Sequence, residues 1–389
     1  MQNEQRIELL KKVRRVVVKI GSGVLKDDDG SLSEETLERL VGDVCALRDG
    51  NRLQVILVSS GAVMAGRKKL NLPAGKLTIP QKQAAAAVGQ VQLMKLYESA
   101  FSKHGGKVAQ ILITHSDIAY DYERVKNVRN TMDTLLEMGV VPIINENDTV
   151  TDEEIKFGDN DTLAAKTASA LEMDLLLILS DVDGLYDSDP RLNRDAVVVD
   201  YVTDIRAALS YSKGSSSSTG SGGMSAKVNA AKIAIEAGIP TLIVSGKRKG
   251  AIGDAMRSGG TLFPPVSGKL SAKKHWIRHA KKHEGRIFLD RGAVNAIMHH
   301  GKSLLASGIK SIEENFSEGD GVVMVDGTTP VAYGISNYGS KDLARIMGKK
   351  NSEIEKIPDL KMHDEVVNRD NLVIDSFVKS LFYRDEDKE

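Results

Sequence analysis

The sequence predicts an α/β protein: an open, mainly parallel sheet with helices on both faces, followed by a small β-rich domain. Three observations carry this. Apolar runs of strand length recur at residues 16–20, 55–58, 108–113, 140–144, 175–179 and 241–244. They are continuous rather than alternating, which fits strands buried on both faces. Segments with helical spacing lie between them, and strand and helix in alternation make a parallel sheet. After residue 263 the pattern changes to short strands with glycine-rich turns.

Among the helices, Ser31 and Glu34 predict a capping box ahead of Leu37, Leu40, Val41 and Val44, with Gly50 where that helix would stop. Residues 83–103 and 225–237 have the same spacing, and the second segment runs into Gly238 and Pro240. The expected organisation is a first domain over 1–263, a linker over 264–284 that contains Pro264 and Pro265, a second domain over 285–362 with strands at 286–289 and 322–325, and a C-terminal segment over 363–389. The sequence leaves the structure of that last segment open.

A chain of 389 residues with 41% hydrophobic and 27% charged residues has material for two cores. Lys and Arg together number 53, as do Asp and Glu, so no global field draws the protein to nucleic acid or to an anionic membrane. The single cysteine, Cys45, excludes a disulfide framework and falls inside a helical pattern, where it is expected in the core. The first apolar run is too short for a signal peptide or a membrane span, so a cytoplasmic protein is expected.

Four strand ends carry residues that packing does not ask for. Lys19-Ile20-Gly21-Ser22-Gly23 lets backbone approach a phosphate and offers a point charge. It is neither a Walker loop, since no Gly-Lys-Ser/Thr follows, nor a dinucleotide fingerprint, since Lys26 stands where the third glycine belongs. A lysine there is also an ordinary snorkelling residue. Ser59-Ser60-Gly61-Ala62 fits a ligand turn or a helix N-cap equally. Asn145-Glu146-Asn147-Asp148, with Gly158-Asp159-Asn160-Asp161 beyond it, suits an ammonium group, a metal or the lysines. Ser180-Asp181-Val182-Asp183-Gly184-Leu185-Tyr186 is a good turn on local grounds and equally an adenosine-binding edge. Finally, the serine- and glycine-rich stretch 212–223 runs into Ser225-Ala226-Lys227, where a helix N-terminus offers free N–H groups to an anion.

Together these motifs resemble the amino acid kinase family over nearly the whole chain. Val18-Lys19-Ile20-Gly21-Ser22 looks like its first phosphate-facing turn, and Gly222-Gly223-Met224-Ser225-Ala226-Lys227 like its glycine-rich lysine loop. The segments at 144–148 and 158–161 are similar to its glutamate-phosphorylating branch. Ser59 and Ser180 replace threonines usual in the family. Residues 285 to about 362 are similar to a PUA domain, on Asp290-Arg291-Gly292-Ala293, Gly301-Lys302-Ser303-Leu304-Leu305, Gly308-Ile309 and Phe316-Ser317-Glu318-Gly319-Asp320, so the resemblance implies an amino acid kinase fold followed by a PUA-like pseudo-barrel.

The resemblance implies ATP-dependent phosphorylation of the L-glutamate side-chain carboxylate, the first step of proline biosynthesis, with Mg²⁺. Lys19 and Lys227 would face the transferred phosphoryl group and Asp161 would hold them. Ser60, Gly61, Asn145, Asp148 and Asn160 would bind the amino acid, with Asp148 on its ammonium. ATP would meet Lys19, Gly21, Ser180, Asp181, Ser221, Gly222, Gly223, Met224, Ser225, Ala226 and Lys227, and no side chain is expected to ligate the metal directly. Proline as feedback inhibitor, a homo-oligomer (dimer or tetramer) and handover of product to glutamyl phosphate reductase are also implied. A relative with another acceptor is the near alternative. RNA binding through the PUA-like domain, motivated by the basic stretch 269–282, is the distant one. A glutamate side chain ordinarily loses its proton near pH 4.3 (about 4.3 in water), so as a nucleophile it needs no general base and the eight histidines need no chemical role.

Overall fold

The computed structural model describes residues 2–51, 53–73, 75, 77–114, 117, 122–150, 160–212, 223–266, 271–375 and 378–379. They form two compact units, the first drawn mainly from the chain before residue 269 and the second mainly from the chain after it.

The first unit is built on a seven-stranded sheet. After helix α1 (Gln2–Lys11) comes β1 (Arg15–Ile20), then α2 (Glu34–Asn51), β2 (Gln54–Ser59), α3 (Ala62–Lys69), α4 (Ile79–Ser102), β3 (Lys107–Ile113), α5 (Tyr122–Glu137), β4 (Val140–Glu146), α6 (Asn160–Ala170), β5 (Leu175–Ser180), α7 (Ile205–Ser212), α8 (Met224–Glu236), β6 (Thr241–Ser245), α9 (Ala251–Ala255) and β7 (Thr261–Phe263). The strand order is β3-β4-β2-β1-β5-β6-β7, parallel except for the β6–β7 pair. All six apolar runs are strands, and β1, β2, β5 and β6 are buried along nearly their full length. Their registers bring Ile20 beside both Ser59 and Leu179, Val58 beside Ile144, and Ser180 beside Ser245. The turns singled out by residue type therefore emerge along one edge of one sheet, where open α/β folds bind ligands.

Three local features differ from expectation. The start of α2 is capped by Ser33, whose Oγ accepts the Thr36 N–H, not by a Ser31–Glu34 box. Ser31 is held in a preceding loop closed by Asp27 N–H to Ser31 O and by a bridge between Lys26 and Leu32, so the helix cannot begin earlier. Helix α4 starts at Ile79, four residues before its apolar spacing becomes visible, because Thr78 and Gln81 form a reciprocal capping box and Pro80 sits in the first turn. Strand β7 is only three residues long, below what a sequence pattern resolves.

Helices α3 and α4 cross at glycines. A Cβ on Gly66 would stand 1.8 Å from Ala85 O, and one on Gly89 would stand 1.8 Å from Ala62 O. Backbone cannot yield as a flexible side chain would, so Gly89→Ala is expected to destabilise the protein by on the order of 3 kcal/mol. Urea unfolding checks this, and an unchanged midpoint would show that the crossing tolerates a methyl group.

In the second unit, α10 (Ala272–His275) and a π-helical turn (Trp276–Ala280) fall within the stretch read as a linker. Strand β8 (His283–Leu289), α11 (Arg291–Met298), β9 (Ile309–Glu313), β10 (Gly321–Asp326), β11 (Thr329–Ile335), α12 (Ser340–Ile346), a short turn of helix at Asn351–Ile354 and β12 (Leu372–Ile374) follow. The five strands lie in the order β12-β11-β10-β8-β9, and β12 comes from the C-terminal segment. A buried ion pair, Arg278 Nη2 to Asp375 Oδ2 at 3.0 Å, ties the π-helical turn to the residue after β12. Among the described residues, no helix is long and apolar enough to cross a membrane.

Candidate active site

Lys19 lies on β1, flanked in register by Val58 and Ile178, and is only 4% exposed. A lysine so deep in a sheet is not snorkelling, and its charge must be met locally. Asp161 meets it from the first turn of α6, with Lys19 Nζ 2.5 Å from Oδ1. Lys227 reaches the other oxygen from the first turn of α8, with Nζ 3.4 Å from Oδ2. Burial raises the Asp161 pKa, but the two ammonium groups outweigh it and hold the carboxyl below its ordinary range. Two buried cations share one anion, so the three side chains together bring positive charge to the C-terminal edge of the sheet. A Cβ on Gly21 would lie 3.4 Å from Lys19 Nζ, so the absence of a side chain there keeps the approach to that ammonium open.

Asn160, the residue before Asp161, serves a neighbouring cavity of about 330 Å³ lined by Ser60, Gly61, Asn145, Asp148 and Asn160, with Ser22, Lys26, Arg67, Lys82 and Glu146. Asn160 Nδ2 donates to Ser60 Oγ at 2.9 Å, Asn145 Oδ1 at 3.1 Å and Ser59 O at 3.2 Å. Neither serine caps α3, whose N-cap is Gly61 at φ +114°, a conformation that favours glycine. Ser59 Oγ instead lies 2.7 Å from the buried Tyr97 hydroxyl, and burial pushes that phenol's pKa up. Asp148 is half-buried and desolvation raises its pKa to about 6. A carboxylate destabilised in this way gains most from a cation brought into the cavity.

Ser180 ends β5 and is buried, with its Oγ accepting the Val182 N–H at 3.4 Å, and the exposed Asp181 faces Gly23. The rest of that turn serves packing: a Cβ on Gly184 would meet Thr261 Oγ1 at 2.7 Å, and the Leu185 N–H donates to the same oxygen. Gly223, in extended conformation, precedes Met224, Ser225, Ala226 and Lys227 with no side-chain cap, which leaves N–H groups at the start of α8 for an anion. Ser221, Gly222, Gly158 and Asp159 lie outside the described residues.

The structure thus brings the three charged residues and the five amino-acid residues of the sequence reading to one edge of the sheet. Residues 14–245 match the model of the amino acid kinase family. The chain belongs to that family. Residues 285–358 match the model of the PUA domain. This amino acid kinase is 48% identical over 374 residues to a protein of Pelobacter propionicus named glutamate 5-kinase, covering 95% of this chain and all of that one. Proteins of the same name from Geobacter sulfurreducens and Syntrophotalea carbinolica are 47% and 48% identical, over 94% and 95% of this chain and 99% of each relative.

Four polar residues at or beside the cavity of the kinase escaped the sequence reading. Lys26, Arg67 and Lys82 reach it from a loop and from two helices, where charge is the ordinary surface pattern. Gln90 sits behind Asn145 on α4 and accepts its Nδ2 at 2.9 Å. A larger cavity of about 600 Å³ lies in the second unit, lined in part by Asp290, Lys302, Ser303, Glu365 and Arg369, without an arrangement of two cations on one carboxylate.

Proposed function

We propose that this kinase transfers the γ-phosphoryl group of ATP to the side-chain carboxylate of L-glutamate, giving L-glutamyl 5-phosphate and ADP, the first step of proline biosynthesis. The observation that carries the reading is the buried Lys19–Asp161–Lys227 cluster joined, through the adjacent Asn160, to a cavity of amino-acid size. The near-full-length similarity to proteins named glutamate 5-kinase favours glutamate over the other acceptors of the family. We assign the catalytic domain to 1–263.

A carboxylate oxygen attacks the γ-phosphorus, the bond from that phosphorus to the β,γ-bridging oxygen breaks, and the electron pair leaves with ADP. The acceptor is already ionised, so no proton has to move. The difficulty is bringing an anion to a polyanion, and the transition state spreads charge over the equatorial and bridging oxygens. Lys19 and Lys227 are preorganised to take up that charge, Asp161 holds them apart from one another, and the start of α8 supplies backbone N–H groups. Gly21, Ser180, Asp181 and residues 221–226 complete the nucleotide side. Asp161 is engaged by two ammonium groups, which leaves Mg²⁺ to the phosphate oxygens of the nucleotide, where it would neutralise charge.

Asp148 pairs with the α-ammonium of glutamate, with Ser60, Gly61, Asn145 and Asn160 around it. Because its pKa in the free protein is about 6, it is protonated below that pH and must lose the proton to bind an ammonium. Apparent glutamate KM is therefore expected to rise by roughly tenfold per pH unit below about 6 and to level off above it. Asp148→Asn should raise glutamate KM strongly, abolish that rise and leave ATP KM little changed. An unchanged glutamate KM in this variant would remove Asp148 from ammonium binding.

An acceptor panel tests the function itself. With ATP and Mg²⁺, ADP release should depend on L-glutamate and not on aspartate, N-acetylglutamate, carbamate or UMP. Turnover with one of the others and none with glutamate would move the chain to another branch of its family.

A further inference from the structure

We propose that Gln90 is a positioning residue for glutamate recognition, acting through Asn145 on the Asn160–Ser60 pair. The inference rests on the glutamate reading and deepens it. Its starting point is a donor that cannot be reversed: the backbone N–H of Glu146 donates to Asn145 Oδ1 at 2.9 Å. That contact sets which way the Asn145 amide faces. Its oxygen also takes Asn160 Nδ2 at 3.1 Å, so Asn160 must turn its nitrogen toward Asn145 and Ser60. Its nitrogen must then find an acceptor on the far side, where both side chains are buried, and Gln90 Oε1 is that acceptor at 2.9 Å.

The Glu146 N–H therefore sets the Asn145 amide, which turns the Asn160 nitrogen toward Ser60 on one side and is held on the other by the Gln90 oxygen. Asn145 and Asn160 line the cavity with Ser60, while Gln90 does not reach it. Gln90 Nε2 and Asn160 Oδ1 are buried and make no hydrogen bond among the described residues, so the donor and acceptor assignments of the relay come from the contacts named above. The scaffold under Gln90 is stiff: Gly89, the preceding residue, is pressed against the Ala62 carbonyl at the α3–α4 crossing, and Ala62 follows Gly61 of the glutamate turn. Helix α4 thus carries the end of the relay on an element locked to the turn that holds Ser60. Without the Gln90 oxygen, Asn145 Nδ2 becomes a buried donor with no partner, and the amide plane that orients Asn160 is held on one side only.

The test compares steady-state kinetics of the parent enzyme with Gln90→Met, which keeps the length and bulk of the side chain and removes its oxygen. Glutamate KM is expected to rise by about tenfold, the effect of one lost hydrogen bond in a binding site, with ATP KM and kcat within about twofold of the parent. In an Asn145→Ala background the same change should add less than about twofold, since Gln90 then has nothing to orient. If Gln90→Met does not accumulate as folded protein, Gln90→Ala is read by the same criteria. A glutamate KM within twofold of the parent overturns the proposal. So does a rise shared by ATP KM with a matching fall in kcat, which would mark a general packing role, or a full effect that persists without Asn145. An inactive parent with glutamate would instead defeat the functional reading, and an active parent with an unaffected variant defeats this inference alone.

Discussion

Lys227→Ala is expected to lower kcat by on the order of 10²-fold or more while the protein stays folded and close to parent stability. The loss matches removal of one preorganised donor aimed at charge that develops in the transition state, about 3 kcal/mol in barrier height. The cluster explains why stability should survive. Lys227 is the looser of the two cations, at 3.4 Å against 2.5 Å for Lys19, and its removal leaves Lys19 and Asp161 as a matched pair of opposite charges. Glutamate KM should change little, because Lys227 stands at the phosphoryl side and does not line the amino-acid cavity. Kinetics with a parallel thermal melt check both halves, and near-parent turnover in a folded variant would take Lys227 out of the mechanism.

Asp161→Asn is expected to do the reverse, with its first effect on the free protein. Removing the carboxylate charge leaves two buried ammonium groups facing one another, both at most 8% exposed in their side chains. Removing the anion from a buried cluster of this kind costs about 3 kcal/mol or more. Bound ATP brings negative charge to the same place, so saturating nucleotide should narrow the difference from the parent. The comparison of unfolding midpoints with and without ATP is decisive. Equal stability of parent and variant in the absence of nucleotide would show that Asp161 does not hold the lysines. The contrast between the two variants follows from the charges of these three side chains: taking away a cation leaves a pair of opposite charges, and taking away the anion leaves two like charges.

The sheet was legible because its inner strands are buried on both faces and therefore read as uninterrupted Val, Ile and Leu runs, of which β5, Leu175–Ser180, is the clearest; β3, expected to be buried alike, lies at the sheet edge and is largely exposed or half-buried. The phosphoryl side was legible for a related reason. Lysine, asparagine and aspartate directly beyond such runs have no packing purpose, and parallel strands deliver their ends to one edge. What was not legible depends on contacts between distant elements. Gln90 follows a run of four alanines on α4 and carries no local signal, and its partner stands 55 residues away. Whether Ser60 capped a helix was undecidable from spacing; Gly61 takes the N-cap of α3, and the Ser60 hydroxyl accepts from Asn160 instead. The raised pKa of Asp148 comes from burial, which sequence does not report. Strand β12 belongs to the second sheet although the charged sequence around it has no strand pattern, because its three residues need only one neighbour, β11.

The central claim is that phosphate goes to the γ-carboxylate of glutamate, and trapping the product tests it most directly. With ATP, Mg²⁺, L-glutamate and hydroxylamine, the account predicts glutamate γ-hydroxamate formed in step with ADP, lost when glutamate is omitted and reduced on the order of 10²-fold in Lys227→Ala. ADP release without hydroxamate, or hydroxamate formation that does not depend on Lys227, would contradict it.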